Sequence, residues 1–114
     1  MIHRLTLGHF DPSAIRDRVM DLKRPLDMPV VSRLLAELGD VDDRGCWTLD
    51  GEGVRFHDGT IVIPWQGGWI NRVAEEFALR LNRETGCLIA DREHGRVIDP
   101  GKLMGMAEKE TATG

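Results

Sequence analysis

Hydrophobic positions along this chain change their period several times, and each change predicts a new element. Residues 2–7, Ile-His-Arg-Leu-Thr-Leu, alternate as a strand does, with Leu5 and Leu7 on the face shared by His3 and His9. Asp11-Pro12 then has the form of a helix start, an acceptor side chain followed by a residue that needs no N–H, and Ile15, Val19 and Leu22 give a stripe over Pro12–Lys23. Pro25 interrupts that pattern. Pro29 opens a second helix, in which Val31, Leu34, Leu35 and Leu38 fall at helical spacing before Gly39.

From Cys46 the period becomes strand-like. Cys46–Leu49, Val54–Phe56 and Thr60–Trp65 are separated by Asp50–Gly53 and His57–Gly59, turn residues that supply positive φ, so a three-stranded antiparallel meander is predicted. Pro64 ends the third strand or places it at an edge. Ile70, Val73, Ala74, Phe77, Ala78 and Leu81 then draw the strongest apolar stripe in the chain, with Asn71 as N-cap and Gly86 past a helix end near Thr85. Glu76 and Arg80 stand at i and i+4 on that helix, a favourable pairing orientation. Cys87–Ala90 and Arg96–Asp99 close the pattern as a hairpin, the first of these strands continuous enough in apolar character to be covered on both faces.

The expected fold is therefore α+β, in the order β-α-α-β-β-β-α-β-β, a mostly antiparallel sheet with helices packed on one face. Residues 1–101 form one domain, and 102–114 a tail without a stripe long enough to bury. The core is expected at Leu5, Leu7, Ile15, Val19, Leu34, Leu38, Trp47, Phe56, Ile61, Ile63, Val73, Phe77, Leu81 and Ile89.

Composition narrows the functional classes. The chain has 114 residues, 41% hydrophobic and 30% charged, with no apolar run long enough for a membrane span and no basic-then-apolar leader, so a cytoplasmic protein is expected. A net charge of −4 argues against nucleic acid and towards a basic protein partner. Cys46 and Cys87 lie in no C-x-x-C or histidine comb, and free thiols are expected of them rather than a disulfide.

Candidate chemistry is sparse, and no cofactor or metal is implied. The Asp40-Val41-Asp42-Asp43-Arg44-Gly45 segment lacks the alternating oxygen ligands and closing glutamate of a calcium loop and reads as solvated. Gly51 and Gly53 join strand to strand, whereas a phosphate cradle leads from strand into helix. His57, Asp58 and His94 come from separate turns and make no metal comb. The Asp91-Arg92-Glu93-His94 turn puts acids beside a histidine, without a nucleophile in a recognisable setting. Trp65-Gln66-Gly67-Gly68-Trp69 is a different case: its indoles either pack on the core edge or anchor a partner.

The segment Ala74–Ile98, a helix of the form A-x-x-x-A-x-x-L followed by Thr85-Gly86, a short strand, Asp91 and a glycine turn, resembles the closing unit of small bacterial immunity proteins that neutralise toxins of contact-dependent and type VI secretion systems. The resemblance covers about a quarter of the chain and transfers no catalytic residues. It implies a non-enzymatic, intracellular protein that occludes a toxin. The contact surface is then expected at Trp65, Gln66 and Trp69, with Asp40, Asp42 and Asp43 or Asp91 and Glu93 as the acidic rim. The alternative is a small-ligand binding domain or small enzyme with its pocket between the Trp65–Trp69 loop and the His57 turn.

Overall fold

A computed structural model describes residues 2–11, 22–66, 72–91 and 96–99. Its architecture is α+β and mostly antiparallel. The main sheet contains β1 (Ile2–Phe10), β2 (Leu22–Arg24), β6 (Arg55–His57), β7 (Thr60–Gln66), β8 (Leu88–Asp91) and β9 (Arg96–Ile98), and runs in the order β6-β7-β1-β8-β9, with β2 paired to the end of β1. A second sheet is formed by β3 (Asp40–Val41), β4 (Trp47–Leu49) and β5 (Glu52–Gly53). The helices are α1 (Met28–Leu38) and α2 (Arg72–Thr85).

β1 is the axis of the main sheet. Leu5 stands opposite Ile63, and Leu7 is flanked by Ile61 of β7 and Ile89 of β8. Because paired residues share a face, Leu5, Leu7, Ile61, Ile63 and Ile89 make one apolar surface. All five are fully buried beneath Val31, Leu34 and Leu35 of α1 and Ala74, Phe77, Ala78 and Leu81 of α2. β7 and β8 are both antiparallel to β1, hence parallel to each other, and α2 is the crossover that a parallel connection needs. The opposite face carries a smaller cluster, in which Phe10 and Ala90 pack with Leu22 and Leu88. β8 is thus covered on both sides, as its unbroken apolar run requires.

Two ion pairs tie the helices together, Arg33 with Glu84 and Arg80 with Glu37 at 2.8 Å. The residue numbers rise on one helix as they fall on the other, so α1 and α2 are antiparallel. Arg80 therefore serves its neighbour helix and not Glu76, the partner that spacing within α2 suggests. α2 ends as expected: Gly86 takes a φ of 75° and its N–H donates to the Asn82 carbonyl.

Several expectations change. Leu22 and Lys23 belong to β2 and not to a helix over Pro12–Lys23, because β1 continues to Phe10 and its end pairs with Leu22 and Arg24 across an irregular register. Ile15 and Val19 lie outside the described residues, as does the 102–114 segment. The three-strand meander splits between the two sheets. Val54 turns inwards to the main core and donates its N–H to the Trp47 carbonyl, so the chain leaves the small sheet there and enters the large one. Phe56 is 48% exposed, not core, because β6 is the outermost strand. Leu38, Trp47 and Val73 are half-buried against the core and not sealed within it. Pro64 keeps its place in β7 opposite Arg4 of β1, and β6 reaches only as far as Val62, so the side of Pro64 that lacks a donor meets no ladder.

Candidate functional site

Of the predicted contact residues, the structure describes Asp40, Asp42, Asp43 and Asp91 and the backbone of Trp65 and Gln66. Trp65 and Gln66 end β7, in register with His3 and Ile2. Trp69 and Glu93 lie outside the described residues, as do the side chains of Trp65 and Gln66. Asp91 is 1% exposed: it ends the interior strand β8 and is paired with Arg96 of β9, so it is unavailable as a rim acid. The His57 turn stands at the other end of β7, where His57 pairs with Thr60. Trp65 stands five steps along the strand from Thr60, roughly 16 Å at the usual rise, and the rest of the Trp65–Trp69 loop lies outside the described residues. His57 Nε2 lies 3.4 Å from Asp58 Oδ2, with both side chains exposed, and His94 is outside the described residues. Among the described residues no three His, Cys, Asp or Glu side chains are grouped to hold a metal ion.

The acidic segment has a definite form. Asp42 and Cys46 close the β3–β4 hairpin: the Asp42 N–H donates to the Cys46 carbonyl, and the Gly45 N–H to the Asp42 carbonyl. The Asp42 carboxylate accepts from the amides of Arg44 at 2.8 Å and Cys46 at 2.9 Å. Asp42 is the residue that shapes the turn, which is why aspartate suits a position two residues before an amide that would otherwise lack a partner. Asp43, by contrast, is exposed at the tip.

Beside these acids stand two apolar side chains that sequence reasoning assigned elsewhere. Val41, within the segment read as a polar loop, is 52% exposed in β3 and lies directly opposite Trp47 of β4, so the two side chains project from one face of the small sheet. Trp47 rests partly on the main core and leaves the rest of its surface open. Asp40 and Asp42 precede and follow Val41 and therefore point to the other face. The hairpin thus presents a valine–tryptophan pair on one face, Asp40 and Asp42 on the other and Asp43 at its tip. The signal was present in the strict alternation of Asp40-Val41-Asp42, but two paired residues are too few for periodicity to register.

A second feature is a shallow cleft of about 240 Å³ lined by His9, Arg24, Pro25, Asp27, Glu84 and Thr85. It forms where the end of β1, the β2–α1 connection and the end of α2 meet. Burial lowers the pKa of His9 below its ordinary 6.5, the nearby Arg24 guanidinium lowers it further, and Asp27 opposes both. Asp27 is the N-cap position of α1, makes no side-chain capping bond and lines the cleft. Glu84 is held by Arg33. Among the described lining residues Arg24 is the cation and Asp27 and Glu84 the acids.

Both cysteines are free, Cys46 exposed at the hairpin and Cys87 buried. Burial raises the pKa of the Cys87 thiol, against a hydrogen bond from Thr85, and keeps it protonated and inert. Among the described residues no helix is long and apolar enough to cross a membrane. No family model matches the chain, and neither a curated protein nor a solved structure matches it at a significant level.

Proposed function

We propose that this chain is a non-enzymatic protein-binding domain that engages a basic partner through the Asp40–Cys46 hairpin and its Trp47 flank, and that it acts as an immunity protein occluding a bacterial toxin. The observation that carries the binding reading is exposed Val41 paired with half-buried Trp47 on one face of a hairpin whose other face carries Asp40 and Asp42 and whose tip carries Asp43. Apolar anchors supply affinity when a partner covers them, while rim acids speed the encounter with a basic surface and exclude acidic ones. The Asp42 carboxylate fixes the turn before any partner arrives, so little ordering entropy is lost on docking. The toxin assignment is supported by the resemblance of Ala74–Ile98 and by the net charge of −4.

The test begins with the genes beside that of this chain: a gene for a secreted toxin is expected there, and a metabolic operon would count against the immunity reading. The toxic domain is then co-expressed with this chain. Restored growth and a complex that survives gel filtration are expected, and a toxic domain that neither binds nor is silenced sinks the immunity reading. Trp47→Ala should weaken the complex by about thirtyfold or more, the usual effect of truncating an aromatic anchor. Because Trp47 also touches the core, Val41→Ser serves as the second variant, and Asp40→Lys with Asp43→Lys should chiefly slow association. Unchanged binding in all of these folded variants would put the interface elsewhere.

A further inference from the structure

The backbone at the edge of the small sheet specifies more than a sticky patch. In an antiparallel ladder, opposed residues alternate between pairs that exchange hydrogen bonds and pairs that do not. The Asp42 N–H donates to the Cys46 carbonyl, which makes 42 and 46 a bonded pair and the next pair, Val41 and Trp47, a non-bonded one. The other side of β4 agrees, since the Trp47 carbonyl is directed to β5, where it accepts from the Val54 N–H. The N–H and C=O of Val41 therefore point outwards from β3, which among the described residues is the edge strand of its sheet.

We infer that the partner of this surface adds an extended segment antiparallel to β3, with an apolar residue opposite Val41 and a lysine or arginine on each side of it. The inference rests on the protein-binding reading above and gives that partner its chemistry. A residue opposite Val41 exchanges two hydrogen bonds with it and turns its side chain to the Val41–Trp47 face. The residues before and after turn theirs to the face of Asp40 and Asp42, where only a cation gains. Backbone pairing, apolar contact and charge then impose one register, and a strand slipped by one residue would bring cations onto Val41 and Trp47.

The probe is an acetylated and amidated heptapeptide in which lysine and valine alternate, titrated into the isotope-labelled full chain and followed by NMR. Saturable shifts centred on Val41, with slowed exchange of its amide proton, are expected. N-methylation of the valine that faces Val41 should weaken binding about tenfold or more, since it deletes one donor and crowds the edge. Val41→Pro should remain folded, because the lost N–H faces outwards, and should fail to bind. Equal binding of the methylated peptide overturns strand addition and leaves an acidic docking face standing. No saturable binding of either peptide also overturns it, and the toxin complex of the Asp40→Lys and Asp43→Lys variants then shows separately whether the protein-binding reading survives.

Discussion

The carbonyl oxygen of Thr48 occupies the space that a side chain on Gly39 would need: a Cβ built there falls 2.5 Å from it. Gly39 has an extended φ of −103°, which any residue adopts, so the glycine is required by the close approach of β4 to the end of α1 and not by backbone conformation. Gly39→Ala must push the small sheet off the helix. It should destabilise by about 1–3 kcal/mol in chemical denaturation. A midpoint equal to that of the unaltered chain would show that the two elements separate freely.

Asp42 and Asp43 are neighbours with different work. Asp42→Ala leaves the Arg44 and Cys46 amides without their acceptor and should cost about 1–2 kcal/mol, while Asp43→Ala should stay within about 0.5 kcal/mol of the parent. Equilibrium unfolding of the two variants gives the comparison directly, and equal costs would contradict the turn geometry.

Phe77 and Phe56 should separate just as clearly. Phe77→Ala opens a cavity beneath a fully buried ring and should lose about 3–5 kcal/mol. Phe56→Ser removes a ring that is 48% exposed on an edge strand, and a much smaller loss is expected in the same denaturant titration.

His9 gives the fold a pH dependence. Its folded-state pKa lies below the 6.5 of an unperturbed imidazole, so under acid conditions the unfolded chain takes up the proton more readily. Its contribution to stability is unimpaired above 6.5, is lost as the pH falls through that value, and changes no further once the folded state is protonated too. The melting temperature should therefore drop as the pH falls through 6.5, and the drop should be smaller in His9→Gln. An identical drop in the variant would assign it to carboxylates instead.

Thiol chemistry offers a test with no mutation. Cys46 should react with a maleimide at once in the folded protein, and Cys87 only when denaturant exposes it, a difference that mass spectrometry of the labelled peptides resolves.

What could be read from the sequence follows from how much each element depends on its own residues. α2 carries a long stripe, so its faces and its stop at Gly86 are legible without tertiary context. The second helix and the closing hairpin were legible for similar reasons. Leu22 failed because its helical spacing to Ile15 and Val19 competes with a strand partner, the end of β1, that only the folded sheet supplies. Phe56 failed because alternation tells which face a side chain is on and says nothing of whether the strand lies at the middle of the sheet or the edge. Trp47 is the instructive residue: hydrophobicity placed it in the core, and half of that is right, but its open half beside Val41 depends on a second sheet that periodicity over two or three residues cannot reveal.

The position of β1 also dictates when the molecule can be finished. β1 leaves the ribosome before either of the strands that flank it, and the second of them, β8, follows only after α2. Until β7 emerges both long edges of β1 lack their final neighbours, and until β8 emerges one of them still does. Chain closure over such separations is slow compared with making a local helix or hairpin. A nascent chain halted within α2 would hold β7 against β1 and leave the β8 side of Leu7 open to any extended stranger, so the vulnerable period of this protein ends only when Ile89 has emerged.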